Sequence, residues 1–235
     1  MGEIFALLRG AWKQATPRAL LVSLLLVLAA GLAACHFDQA IAVTASDGDH
    51  PGRRLAEWFS FWGDFLPGTV PLALVLIGLG WALKKPAWRH AGLAALLAAA
   101  IAGGCVSSFR LTLGRPRPYG TVAEAQERLH RVPQPWLSFH RPVVPGHLPD
   151  GFYGPQRPAM FQGFPSGHAA TSVATAAALA VALPPVGIPA CAIAAGVCWS
   201  RYDLRRHYFS DIFVGGFVGL IVGIRFGRAA RHPIA

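Results

Sequence analysis

The chain has 235 residues, of which 54% are hydrophobic and 14% charged, and its mean hydropathy is +0.43. This composition is too apolar for an ordinary soluble domain, and the length suits one membrane-embedded bundle. The net charge of +10 does not by itself indicate nucleic acid, because the basic residues lie at the edges of apolar segments and form no separable face.

Residues 1–18, with Trp12 and Lys13, are typical of an amphipathic segment at a membrane interface. Six apolar stretches then follow that are long enough, or nearly so, to cross a hydrocarbon layer about 30 Å thick. They are residues 19–34, 70–83, 91–106, 169–183, 186–199 and 212–226. We therefore expect an all-α, polytopic six-helix bundle that forms a single domain over residues 1–235.

Two parts of this pattern leave alternatives open. The fourth and fifth stretches are short and are separated only by Pro184 and Pro185, so they could also form a helical hairpin that neighbouring helices shield from lipid. Residues 36–50 are polar and predict turns, whereas residues 53–66 alternate charges with aromatic side chains. The latter segment fits either a helix lying in the membrane interface or an aromatic helix end packed into the bundle.

The four cysteines lie in or beside apolar stretches and are expected to be small buried side chains. Cys191 and Cys198 are too far apart on a helix for a disulfide, and there is no Cys-x2-Cys pair for zinc. Cys35 ends a Leu-Ala-Ala-Cys sequence similar to a lipoprotein processing site, but an alanine-rich helix that happens to end in cysteine is the simpler interpretation.

Three polar clusters stand beside the apolar stretches. Arg110-x6-Arg117-Pro118 follows the third stretch, Pro165-Ser166-Gly167-His168 precedes the fourth, and Ser200-Arg201-x5-His207-x3-Asp211 joins the fifth to the sixth. Singly, each is commonly an interfacial anchor or a salt-bridged helix end. Together they indicate a functional site, because polar groups beside membrane segments tend to mark one.

In order and internal spacing these clusters resemble the signature motifs of the type 2 phosphatidic acid phosphatase superfamily. The family patterns are Lys-x6-Arg-Pro, Pro-Ser-Gly-His and Ser-Arg-x5-His-x3-Asp. The second and third match completely, and the first departs only at Arg110, where the family usually has lysine. The resemblance predicts an integral-membrane enzyme of the bacterial cell envelope that acts on a lipid phosphate.

On a helix, the i,i+4 spacing would put His207 and Asp211 on one face, so that the carboxylate orients the imidazole. The resemblance implies that His207 attacks phosphorus to give a phosphohistidine, and that His168 acts as acid and base. Phosphate would be bound by Arg110, Arg117, Ser166, Gly167 and Arg201. No metal or other cofactor is expected.

The motif residues could also support a metal site or a different register of the first motif. His168, His207 and Asp211 could form a metal site with two histidines and one carboxylate, but nearby guanidinium groups would repel the cation. Arg115 also precedes a proline, yet a register shifted by two would put Ser108 at the cationic position. We therefore assign Arg115 to lipid head groups and not to the motif.

The segment 119–164 joins the first two motifs and is the longest polar stretch of the chain. Residues 121–130 predict a short helix within it. Because the segment must pass over the site, we interpret it as a cap that selects the substrate head group, against the alternative of a passive linker.

The charges between segments bear on orientation. The two termini and the short loops on the side away from the motifs hold nine of the 21 Lys and Arg residues and the motif side twelve, so the raw count does not decide. The basic loop at 84–89 is typical of the cytoplasmic side, which would make the active site face the periplasm, as the resemblance also implies for an inner-membrane protein.

The expected activity is release of inorganic phosphate from a lipid phosphate monoester or pyrophosphate in the bilayer. The alternative enzyme is a lipid phosphotransferase. The alternative that is not an enzyme is a transporter or a lipid-binding protein. Vanadium haloperoxidases share the motifs but are typically soluble. The sequence selects neither the individual lipid nor an oligomeric state.

Overall fold

A computed structural model describes residues 2–13, 16–42, 50–142 and 145–231. Its helices, in chain order, are α1 (Gly2–Lys13), α2 (Pro17–Ala42), α3 (Arg53–Trp62), α4 (Val70–Ala82), α5 (Pro86–Leu113), α6 (Val122–Leu129), α7 (Gly167–Ala182), α8 (Pro184–Asp203) and α9 (Phe209–Arg231). A π-helical turn (Phe65–Thr69) precedes α4, and a 3-10 turn (Ala159–Phe161) precedes α7. Two short strands, β1 (Leu137–His140) and β2 (Asp150–Phe152), form an antiparallel pair.

The membrane prediction is confirmed at a coarse level. Three helical segments, Phe65–Ala82, Pro86–Leu113 and Phe209–Arg231, are long and apolar enough to cross a bilayer. Leu21–Cys35 and Gly167–Ala182 are shorter apolar helices. Each of the six predicted stretches lies largely within a helix, while the count of six crossings stays a prediction.

The centre of the bundle is formed by α5, α7 and α9, whose facing surfaces are largely alanine and glycine. Helix α9 has a glycine at every fourth position: Gly215, Gly219, Gly223 and Gly227. A Cβ atom on any of these glycines would lie within 2.7 Å of a carbonyl oxygen that belongs to α7 or to Ser166, the residue just before it. The two backbones therefore pack in direct contact, as small residues permit in membranes.

This contact positions the polar ends of both helices. The Cβ of a side chain at Gly215 would lie 2.3 Å from the carbonyl oxygen of Ser166, and the Ser166 N–H donates to the carbonyl of Asp211 at 2.9 Å. The second and third motifs are consequently held side by side where α7 and α9 begin.

Helix α2 differs from its predicted extent. It continues to Ala42 and includes Asp38, a 1% exposed residue that the sequence analysis had assigned to a polar, turn-rich segment. The polar sequence was misleading because Asp38 is stabilised by partners on other elements, described below. Residues 43–49 of that segment lie outside the described residues.

The helix predicted within residues 53–66 is confirmed as α3. Its Trp58, Phe61 and Trp62 are exposed, whereas Phe59 packs edge-on against Trp199 of α8, with ring centroids 6.3 Å apart. One side of the segment is exposed and the other is packed into the bundle, and a position in the membrane interface stays a prediction.

The segment 119–164 is folded. It contains the predicted short helix, found as α6, and the strand pair β1–β2, which an all-α expectation had not included. Ala125, Leu148, Tyr153, Met160 and Phe161 form its own buried cluster. The part of the segment that leads into α7 is hydrogen-bonded to the first motif, since the Arg117 N–H donates to the Met160 carbonyl at 2.7 Å.

Candidate active site

The predicted site residues lie at the ends of helices that meet at one end of the bundle. Arg110 lies in the last turn of α5 and Arg117 follows the left-handed Gly114 that ends this helix. Arg201 lies in the last turn of α8, and His168 in the first turn of α7. The packing of α5, α7 and α9 therefore brings all three motifs together.

His207 is not helical, which corrects the expectation that it shares a helix face with Asp211. Helix α8 ends at Asp203 and α9 begins at Phe209, so His207 lies in the turn between them and Asp211 lies in the first turn of α9. The imidazole nevertheless approaches the carboxylate, with Nδ1 of His207 3.7 Å from Oδ2 of Asp211. The turn therefore brings the two side chains near each other, but at this distance the carboxylate does not accept the hydrogen of Nδ1.

The imidazole of His207 has a defined tautomer. Its Nδ1 lies 2.7 Å from the carbonyl oxygen of Gly163, and since a carbonyl only accepts, Nδ1 carries the hydrogen. Nε2 is then the nitrogen with a free lone pair. Gly163 was not identified from the sequence, because a backbone acceptor 44 residues away leaves no side-chain pattern.

His207 is 2% exposed. Burial lowers its pKa well below the ordinary value, and the positive charges of Arg201 and Arg117 lower it further. The imidazole is therefore neutral at neutral pH, the state in which it is a nucleophile.

The three motif arginines are only partly occupied by protein groups. Arg110 donates to Ser107 Oγ at 3.0 Å, Arg117 donates to the Tyr119 hydroxyl at 3.3 Å, and Arg201 donates to Ser60 Oγ. The Nε of each guanidinium is buried and has no hydrogen-bond partner among the described residues. A buried donor without an acceptor is unfavourable, so an oxyanion bound here would stabilise all three.

The second motif lies against the first. A Cβ at Gly167 would be 3.3 Å from both terminal nitrogens of Arg110, so glycine permits the guanidinium to approach the N-terminus of α7. Ser166 is fully buried, and its Oγ caps α7 by accepting from the Ala169 N–H at 3.4 Å. The structure thus gives Ser166 a capping role in addition to its predicted role as a phosphate donor.

Arg115 corrects the assignment to lipid head groups. The side chain is 0% exposed, and it binds the carboxylates of Asp38, Asp150 and Asp211. Burial alone would lower its pKa, but these carboxylates raise the pKa well above its ordinary value. A fully buried guanidinium cannot contact a lipid head group.

Two cavities adjoin the site. A polar cavity of about 500 Å³ opens beside Arg201 and is also lined by Arg53, Tyr119 and Arg206. An apolar cavity of about 360 Å³ lies along α7 and is lined by Trp58, Trp62, Leu72, Val75, Ser172 and Ala176, among others. Ser172 is one turn beyond His168, so the apolar cavity begins close to the polar site.

Within the described residues, no group of three or more His, Cys, Asp and Glu side chains has an arrangement suited to a metal ion. The alternative set of His168, His207 and Asp211 is not among such groups in this part of the chain. His207 Nδ1 and the Asp211 carboxylate instead bond other groups, namely the Gly163 carbonyl, the Tyr208 N–H and Arg115.

The fold and the site together define a helical membrane protein in which three arginines surround two histidines. Residues 91–231 match the model of the PAP2 superfamily, and this is more than half of the chain. The protein therefore belongs to the PAP2 superfamily, as the resemblance of its motifs indicates. No curated protein matches the chain.

Among solved structures, the chain is similar to the crystal structure of the first transmembrane PAP2 type phosphatidylglycerolphosphate phosphatase from Bacillus subtilis. The two share 20% identity over 94% of this chain and 90% of that chain, with a TM-score of 0.46.

Proposed function

We propose that this protein is a membrane-embedded lipid phosphatase that releases inorganic phosphate through a phosphohistidine on His207. The observation that carries the proposal is the set of three arginines around the two motif histidines, each with a buried Nε that lacks an acceptor among the described residues. Membership of the PAP2 superfamily supports phosphatase chemistry. The apolar cavity beside the site supports a substrate with a hydrocarbon portion.

In the first step, Nε2 of His207 attacks phosphorus and the bond from phosphorus to the lipid oxygen breaks. His168 donates a proton to the leaving oxygen, so the lipid departs as an alcohol or, from a pyrophosphate, as a monophosphate. Arg110, Arg117 and Arg201 neutralise the equatorial oxygens, where the charge is concentrated. The negative charge of Asp211, 3.7 Å from Nδ1, stabilises the imidazolium that forms.

In the second step, water attacks phosphorus and the bond from phosphorus to Nε2 of His207 breaks, while His168 accepts a proton from the water. Inorganic phosphate is released, and His207 returns to its neutral state. If a lipid hydroxyl replaced water here, the same intermediate would make the protein a phosphotransferase.

The test uses purified full-length protein and a panel of lipid phosphates and pyrophosphates in detergent, with a water-soluble phosphate ester for comparison. We expect phosphate release from a lipid without an added acceptor, insensitivity to EDTA, and inhibition by vanadate. His207→Ala should abolish turnover, and brief incubation with labelled substrate should leave acid-labile, base-stable phosphate on the wild-type protein only.

Three results would contradict the proposal. Normal turnover by His207→Ala would exclude the phosphohistidine. Loss of activity on chelation, restored by one divalent ion, would favour metal chemistry. Phosphate release that requires an added lipid alcohol would identify a phosphotransferase.

A further inference from the structure

The buried guanidinium of Arg115 uses all of its hydrogen-bond donors. Its Nε donates to Asp150 Oδ1 at 2.8 Å, and its Nη2 donates to Asp150 Oδ2 at 2.7 Å and to Asp38 Oδ2 at 2.8 Å. Its Nη1 donates to Asp211 Oδ1 and to Ser210 Oγ, both at 2.6 Å. Five N–H groups thus meet five oxygens on α2, β2 and α9, which are distant in sequence.

The orientation of this guanidinium is fixed in two ways. The two parallel bonds to Asp150 define its plane, as a bidentate pair does. The Tyr208 ring covers one face, with its centroid 4.5 Å from the central carbon, and Phe139 and Phe164 lie 5.5 and 5.9 Å away. The direction in which Nη1 points towards Asp211 is therefore set by residues that the three motif patterns do not specify.

Arg115 is connected to both groups that face Nδ1 of His207. Through its side chain it holds Oδ1 of Asp211, whose Oδ2 accepts from the Tyr208 N–H at 2.8 Å and lies 3.7 Å from Nδ1. Through its backbone, its carbonyl accepts from the Gly163 N–H at 2.9 Å, and the Gly163 carbonyl accepts from Nδ1 at 2.7 Å. One residue thus determines where the carboxylate and the carbonyl stand around the imidazole.

We propose that Arg115, clamped by Asp150 and Asp38, is a positioning residue for phosphoryl transfer that acts through Asp211. This inference rests on the phosphatase activity proposed above. The imidazole gains positive charge when Nε2 bonds phosphorus, and the carboxylate stabilises that charge only while it is held beside Nδ1. Asp38 and Asp150 extend the support of the site to α2 and to the segment 119–164.

Stability alone does not account for this arrangement. A cluster with one guanidinium and three buried carboxylates is costly to desolvate, and apolar residues of similar volume often stabilise a buried site equally well. Lysine would keep the positive charge but not the planar fork, since its ammonium has three donors around a single atom. Arg115→Lys therefore separates charge from geometry.

The experiment compares Arg115→Lys with wild type in kcat, KM and the inhibition constant of inorganic phosphate. We expect kcat to fall about 10- to 100-fold, by analogy with the loss when hydrogen-bonding partners that orient metal ligands are removed. KM and the phosphate inhibition constant should stay within about threefold of wild type, because the three phosphate-binding arginines are unchanged. Arg128→Lys, an exposed Arg-to-Lys change in α6, is the matched control and should keep the wild-type kcat.

A double-mutant cycle tests whether Arg115 acts through Asp211. If it does, Arg115→Lys combined with Asp211→Asn should have a kcat within about threefold of Asp211→Asn alone, since the second change removes what the first would misplace. A residue that only stabilises the fold would instead lower kcat by an independent, multiplicative factor, or lower the fraction of folded protein without changing kcat. Either of those results would overturn the proposal.

Asp150→Asn provides a second route if Arg115→Lys does not fold. It keeps the shape of the side chain but weakens the bidentate pair, so kcat should fall with KM unchanged. Combined with Asp211→Asn, it should lower kcat no further than Asp211→Asn alone. A folded Asp150→Asn with wild-type kcat would overturn the proposal. An inactive wild-type protein would refute the phosphatase function itself, whereas an active wild type matched by Arg115→Lys would refute only the positioning role.

Discussion

At the scale of single residues, the departure of the first motif from the family pattern concerns Arg110. Its guanidinium lies against Gly167 at the start of α7, and its Nε lacks a partner among the described residues. Arginine offers a planar fork where lysine offers a point charge, and the fork suits a bulkier or doubly charged phosphate.

We therefore expect Arg110→Lys to stay active with a weaker preference for its best substrate. Arg110→Ala should lose about 2–4 kcal/mol of transition-state stabilisation, the scale for removal of one preorganised donor. The measurement is kcat/KM for several lipid phosphates and pyrophosphates. Equal activity of Arg110→Ala and wild type across them would mean that Arg110 is not a phosphate ligand.

The second prediction at this scale concerns pH and His207. Burial and then the charge of Arg201 lower the pKa of His207, so the imidazole stays neutral as pH falls through about 6.5, where an ordinary histidine is protonated. The acidic limb of the pH profile of kcat/KM, where activity falls because His207 is protonated, should thus lie below pH 6.5. Arg201→Gln removes the positive charge, which raises the pKa of His207 and should move this limb to higher pH.

Arg201→Lys keeps the charge and serves as the control, with the limb expected to stay in place. The substrate's own titration is common to all three proteins and cancels in the comparison. A limb at the same pH in Arg201→Gln and wild type would show that Arg201 does not set the protonation of the nucleophile.

The motifs were predictable because each one is local. The position of Ser166 two residues before His168 and the short spacing from Arg201 to Asp211 are visible in the sequence. The partners of Arg115 were not, since Asp38 lies 77 positions before it and Asp150 lies 35 positions after it. Periodicity and motif spacing report neighbours along the chain, whereas this cluster depends on the tertiary packing.

At the scale of elements, the most extensive packing among the described helices joins α7 to α9. The membrane helices were predicted from the lengths of the apolar stretches, and the glycine at every fourth position of α9 was overlooked. That spacing was the available signal, because four residues return to nearly the same face of a helix. It identifies the surface on which α7 rests.

Gly219→Ala should separate these helices. The added Cβ would lie 2.4 Å from the Ala170 carbonyl oxygen, a backbone atom that cannot move without the whole of α7. We expect a loss of about 1–3 kcal/mol, the usual cost of overpacking, and a lower kcat because Ser166 and Asp211 separate as well. Thermal unfolding in detergent and phosphate release would measure the two effects.

Gly216→Ala is the matched control on the same helix. The nearest atom to its added Cβ is a methyl group of Val173 at 3.7 Å, which is ordinary contact. Alanine also favours a helix over glycine, so this variant should be as stable as wild type or slightly more so. Equal destabilisation by both substitutions would show that α7 and α9 do not pack as described.

At the scale of the whole molecule, helix α5 sets the distance between the polar site and the opposite end of the bundle. It has 28 residues, so its ends are about 40 Å apart at 1.5 Å per residue, enough to cross a bilayer. Lys84 and Lys85 precede this helix, and Arg110 lies in its last turn. The site and the two lysines are therefore on opposite sides of any membrane that α5 crosses.

We propose that the site faces the periplasm or exterior, and labelling with a membrane-impermeant thiol reagent in intact cells tests this. In a background in which the four native cysteines are replaced, Gln126→Cys places an exposed thiol on α6 in the segment 119–164, and Lys84→Cys places one at the opposite end. We expect Gln126→Cys to react and Lys84→Cys to react only after the cells are permeabilised, since basic short loops are retained in the cytoplasm. The reverse pattern would put the site in the cytoplasm and would exclude substrates confined to the outer leaflet, whereas reaction of both in intact cells would mean that α5 does not cross the membrane.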